Sequence, residues 1–199
     1  MKLQIELFDY WHTGSGHGSV GYIDAEVLRD ADGLPYLPGR GLKGLLLEAC
    51  KLLDACDPSS ASNCAASELF GTESDRGRPI ELKGNYLHCS DARLPENQRK
   101  WLLAGDNRQC LPHLYDTLSS TAIEADGTRK DKSLRIIEVV LPATLEASIG
   151  GLDEAQQARI RRALPLIRGI GKNRNRGLGR CRIIESTDAA KNTQNGGQL

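Results

Sequence analysis

"LPGRGLKGLLLEACKLLDA", residues 37–55, decides the fold. Leu42, Leu45, Leu46, Ala49, Leu52 and Leu53 fall at the i, i+3, i+4, i+7 spacing of a helix with one apolar stripe, and Lys43, Glu48 and Lys51 lie off it. Such a stripe needs a sheet or another helix to cover it. The first candidate is upstream, where Leu3, Ile5 and Leu7 alternate with Lys2, Gln4 and Glu6 as in a half-buried strand. A Gly/Ser/His loop follows from His12 to Gly21, and "YIDAEVLRD" (22–30) reads as a short strand that ends at the turn signal Asp32-Gly33.

Downstream of the helix, residues 55–80 are small, polar and glycine-containing, which predicts an irregular insertion. "IELKGNYLHCSDARL" (80–94) reads as a strand, and "PENQRKWLLAG" (95–105) as a short helix with Pro in its first turn. Residues 119–135 form a polar, hairpin-like excursion that leads into a β-prone run, Leu134 to Leu141, interrupted by Pro142. "LDEAQQARIRRALPLIRGIG" (152–171) opens with an Asp153/Gln156 cap, sets Ile160, Leu164 and Ile167 on one face and is expected to kink at Pro165. "RCRIIES" (180–186) closes the sheet, and a tail over 187–199 is expected to be disordered. This order predicts one α+β domain over 1–186, a ferredoxin-like (RRM-like) antiparallel sheet with two helices on one face.

The N-terminus alternates apolar and polar residues, unlike a signal peptide, and no run approaches membrane-spanning length, so a cytoplasmic protein is expected. Six cysteines without a CxxC pair suit reduced thiols. The irregular spacing of Cys56, Cys64, Cys110 and His113 favours packing roles over a zinc site. Formal charge is balanced at 26 basic and 26 acidic residues, yet residues 155–184 hold nine Arg or Lys and no Asp or Glu. Such a block is either a solvated face or an anion site.

Glycines favour the anion reading. In "GIGKNRNRGLGRC" (169–181) they alternate with Lys172, Arg174, Arg176 and Arg180, and in "PYLPGRGLKG" (35–44) Gly39, Arg40 and Lys43 stand where a helix begins. Amides at a helix start and at glycine turns approach an anion closely, and guanidinium groups clamp it.

"YLPGRGLKGLLLEA" (36–49), "ELFG" (68–71) and "GIGKNRNRGLGRC" together resemble the signature elements of the RAMP superfamily of CRISPR-associated proteins, in chain order. Within it, residues 12–39 and 120–149 are similar to the type III backbone subunit, with its His-x-Gly loop and its thumb hairpin. The resemblance implies a subunit that binds guide (CRISPR) RNA and complementary target RNA beside other effector subunits and further copies of itself. It assigns Gly39, Arg40, Lys43, Lys172, Arg174, Arg176 and Arg180 to RNA binding and Arg129, Lys130 and Lys132 to the thumb. It also implies that Asp24 licenses target-RNA cleavage, holding Mg²⁺ or orienting a 2′-hydroxyl. Arg40 and Lys43 are expected near that carboxylate. Two alternatives stand beside it: general acid–base cleavage by His12 and His17 without metal, and a scaffold that binds RNA without cutting it.

Overall fold

The computed structural model describes residues 1–18, 22–57, 69–70 and 87–186. The alternation at the N-terminus becomes β1 (Lys2–Leu7), whose Leu3, Ile5 and Leu7 are buried, and the apolar stripe becomes α1 (Gly39–Cys56). The chain then forms β2 (His88–Cys89), α2 (Glu96–Leu103), a 3₁₀ helix (Gly105–Leu114), β3 (Tyr115–Ser120), β4 (Arg135–Val140), β5 (Thr144–Gly150), α3 (Glu154–Ala163), a 3₁₀ turn (Leu164–Leu166) and β6 (Cys181–Glu185).

The main sheet runs β2-β5-β1-β6, and every neighbour is antiparallel. β5 thus separates β1 from β2, the split β-α-β order of a ferredoxin-like sheet. Leu42, Leu46 and Ala49 of α1 and Ile160 and Ala163 of α3 share one core with Leu3, Ile5, Leu145 and Ile183 of the strands. Arg159 of α3, 6% exposed, pairs with Asp54 of α1 and ties the two helices together.

Several boundaries differ from the sequence reading for identifiable reasons. Residues 22–30 form no strand. Their amides bond in turn to different segments (Asp24 N to Ile136 O, Glu26 N to His17 O, Leu28 N to Thr13 O), so only isolated bridges arise. Of the strand read over 80–94, residues 80–86 lie outside the described part, and only His88 and Cys89 pair as a strand. Beyond them Ala92 bridges to Leu37 and Arg93 to Glu146.

α1 continues through Cys56, past residue 55 where the insertion was expected to begin; of residues 58–80 only 69–70 are described, and Leu69 is buried in the core. Pro95 is the N-cap of α2, one position before its first turn. Pro165 ends α3 where a kink was expected: it offers no N–H to continue the i→i−4 ladder, and the chain tightens into a single 3₁₀ turn. Residues 187–199 also lie outside the described part.

The excursion is a long antiparallel hairpin. Tyr115 pairs with Val140 and Ser120 with Arg135, so it begins four residues earlier than its polar tip suggests. A bridge between Ile123 and Arg129 and a turn at Gly127, φ +86°, close the tip. No helix among the described residues is long and apolar enough to cross a membrane.

Candidate nucleic-acid interface

The glycines of 169–181 serve the chain's own backbone first. Gly171 has φ +79°, and a Cβ there would lie 2.1 Å from the carbonyl oxygen of His12, which accepts the Lys172 amide at 2.9 Å. Gly179, at φ +66°, would clash with the Ile170 carbonyl, and its amide donates to Tyr10 O at 2.7 Å. The loop is thereby fastened along residues 10–12, and Lys172 is delivered to the loop that carries Asp24.

A cavity of about 300 Å³ results, lined by His12, Gly14, His17, Gly18, Asp24, Glu26 and Lys172 among others. Four sequence candidates, His12, His17, Asp24 and Lys172, therefore line one open site. Arg40 and Lys43, expected around Asp24, do not line it; Lys172 supplies the cation instead. Asp24 is exposed, and its Oδ2 accepts the Ile136 amide of β4 at 2.7 Å while its own amide donates to Ile136 O at 2.8 Å. These two hydrogen bonds to β4, near the tip-side end of its pairing with β3, fix the carboxylate, and Oδ1 accepts no hydrogen bond among the described residues.

The two histidines differ sharply. His12 is 1% exposed; its Nδ1 donates to Glu138 O at 2.6 Å, and its Nε2 is buried with no partner among the described residues. His17 is exposed on the cavity. His12 also carries a neighbour that sequence reasoning missed: Glu138, 8% exposed, accepts from the Val27 amide and from Arg29, whose guanidinium lies 4.0 Å from the Tyr115 ring centroid. A buried glutamate in a β-prone run gives no sequence signal until its partner is known.

Asp30 and Asp32 form the turn that their Asp-x-Asp-Gly setting suggests. Asp30 Oδ1 accepts the amides of Asp32 and Leu34, and Arg99 of α2 bonds both carboxylates. Burial opposes ionisation of Asp30, but Arg99 and these amides outweigh it and hold the carboxyl below its ordinary value. Burial also pushes the Cys89 and Cys181 thiols up to about 11, in keeping with packing cysteines. Cys64 lies outside the described residues, and among those described no three His, Cys, Asp or Glu side chains gather as a metal site.

The cations are only partly free. The start of α1 is occupied by the protein itself: the Gly39 amide donates to Asp91 Oδ1 at 2.9 Å, and a Cβ on Gly39 would lie 2.1 Å from Cys89 O. The carbonyl explains that glycine without any ligand. In the block over 155–184, Arg159, Arg161, Arg162, Arg174, Arg180 and Arg182 each meet a carboxylate, whereas Arg168, Lys172 and Arg176 meet none among the described residues. Arg40, Lys43 and the hairpin's Arg129, Lys130 and Lys132 likewise have no ion-pair partner among the described residues, and the hairpin trio is fully on the surface.

The model of the RAMP superfamily matches residues 4–182. The chain belongs to the RAMP superfamily. No curated protein sequence matches it. Among solved structures, this RAMP chain is similar to a chain of the type III-B Cmr-beta complex determined by cryo-EM bound to cognate target RNA, with TM-score 0.66 at 13% identity, covering 92% of this chain and 95% of that one. It is also similar to a chain of type III-B Cmr-beta in the apo state, with TM-score 0.64 at 13% identity, covering 94% and 97%. At such identity these likenesses establish a shared fold.

Proposed function

We infer that this RAMP protein is a guide-RNA-binding backbone subunit of a type III-like CRISPR ribonucleoprotein in the cytoplasm, and that Asp24 takes part in cleavage of target RNA. The observation that carries the reading is the junction of the glycine loop, the Asp24 loop and the hairpin: Lys172 and Asp24 face one cavity, and Asp24 is bonded to the strand from which the hairpin projects. The fold likeness to chains of type III-B Cmr-beta assemblies, over more than nine-tenths of this chain, supports the same reading.

Each residue has a distinct task. Lys172 attracts a phosphate into the cavity, while Gly18 is fixed by the chain itself, since a Cβ there would lie 2.7 Å from the Ile23 carbonyl oxygen and 2.8 Å from that of Asp24. Asp24 Oδ1, held in place through Oδ2, faces the ribose as an acceptor for a 2′-hydroxyl proton or as a ligand. Asp24 is the residue that would hold Mg²⁺, in the usual manner of one carboxylate with the remaining sites left to water and phosphate oxygens, and the metal would supply charge stabilisation at the scissile phosphate. His12 Nε2 is buried in the cavity wall, so contact with RNA through it would require the wall to open.

In an assembly that holds guide and matched target, Asp24→Ala is expected to abolish cleavage while RNA affinity changes by less than about tenfold, equal to about 1.4 kcal/mol. Chelation of divalent ions should act as the mutation does. Cleavage that survives chelation and is lost in His17→Ala would transfer the chemistry to the histidine, and a wild type inert with Mg²⁺ would leave an RNA-binding scaffold.

A further inference from the structure

Arg174 is one of the four cations of the glycine loop, yet both of its shortest contacts are to an acid of the same chain: its Nη2 donates to Glu48 Oε1 at 2.8 Å and to Oε2 at 2.7 Å. Glu48 lies on α1, off the apolar stripe, and is 63% exposed, and with Arg174 it lines a groove of about 230 Å³ whose other members include Leu45, Leu52 and Arg168. We propose that Glu48 occupies, with its own carboxylate, the position on Arg174 that an RNA phosphate takes, and so sets a threshold that discriminates against loosely bound RNA.

A guanidinium fork fits a carboxylate and a phosphate alike, so the two anions compete for one donor set. An exposed pair of this kind adds little to stability, so a phosphate can displace it. The displacement differs from binding at a free cation. When phosphate reaches Lys172 or Arg176, a phosphate is neutralised outright. When it reaches Arg174, Glu48 is left bare, and the net neutralisation is close to zero. Arg174 then contributes geometry without the long-range attraction that draws any polyanion, and RNA held in register by several contacts is favoured over RNA that touches one.

The inference rests on the RNA-binding reading, and the experiment separates the two. The affinity of the intact protein for a short oligouridylate is measured against salt for wild type, Glu48→Gln, Arg174→Ala, the double variant, Lys172→Ala and Arg176→Ala. For a single strand the log–log slope changes by about 0.7 for each phosphate neutralised. Glu48→Gln is expected to steepen the slope by about 0.7, so that its gain on lowering salt from 200 to 50 mM exceeds that of wild type by about threefold. Arg174→Ala should leave the wild-type slope unchanged and return the Glu48→Gln slope to it.

Lys172→Ala and Arg176→Ala should flatten the slope in the wild-type background. If neither does, the loop does not bind RNA and both readings fall. If both do while Glu48→Gln leaves the slope unaltered, only the masking by Glu48 is overturned. Weaker binding in Glu48→Gln together with a lower unfolding midpoint would show the pair to be a brace for the loop, and would also overturn it.

Discussion

Gly171 shows how a residue that looks like part of a ligand cradle can be fixed by the fold. Its φ of +79° and the 2.1 Å approach of an added Cβ to the His12 carbonyl leave room for no side chain. Gly171→Ala should therefore destabilise the protein by more than the roughly 1–2 kcal/mol that left-handed backbone alone costs a residue with a Cβ, seen as a fall in the urea midpoint. Asp30 is the complementary case, a polar residue whose role is stability. Its carboxyl is held below its ordinary value in the folded protein, so its contribution is complete above the unfolded value of about 3.9 and is lost as pH falls through the lower folded value. Asp30→Asn should then lie furthest below wild type in unfolding midpoint at neutral pH, with the gap closing below about pH 4. The charge pattern made Lys172 and Arg176 visible as free cations, but it could not reveal that Glu48 and Asp9 meet Arg174 and Arg180, because those partners are 126 and 171 positions away.

At the scale of elements, what was legible is what short-range chemistry dictates. The cap of α3 is a full capping box: Asp153 accepts the Gln156 amide, and the Gln156 side chain accepts the Asp153 amide. Asp153→Ala should cost about 1 kcal/mol, measurable by thermal or urea unfolding. β3 was not legible, since "YDTLSS" has neither an apolar face nor β-branched enrichment and is a strand only because β4 supplies its partner. Residues 22–30 misled for the converse reason: their composition suits a strand, and no single neighbour runs alongside them. The hairpin they brace has a tip, residues 121–132, that is exposed throughout. Deleting Asp126 to Lys132 should leave the unfolding midpoint of the domain near that of wild type, because the pairing from Tyr115 to Ser120 remains. A collapse of the midpoint would show that the tip takes part in packing.

The whole molecule has two surfaces on which RNA could lie, and their chemistry separates them. An RRM-type sheet reads single strands with aromatic rings on its open face. Here the outward positions of the central strands are Lys2, Gln4 and Glu6 on β1 and Thr144, Glu146 and Ser148 on β5, with no ring among them. Arg182, outward on β6, is bonded by Glu6 at 2.6 Å. The aromatic just past β1, Phe8, has the Arg180 guanidinium 5.8 Å from its centroid. Ferredoxin-like topology therefore does not bring RRM-type recognition with it; β1 and β5 carry no stacking ring, and two glutamates face where phosphates would pass. The glycine loop and the Asp24 cavity, by contrast, present Lys172 and Arg176 without a carboxylate partner among the described residues. Charge reversal discriminates between the surfaces. Lys172→Glu and Arg176→Glu should each weaken binding of single-stranded RNA severalfold at low salt, and Lys2→Glu should leave it close to wild type, because a charge far from the path acts only through a field screened within about 10 Å at 0.1 M salt. A loss in Lys2→Glu equal to that in Arg176→Glu would move the RNA onto the sheet and away from Asp24.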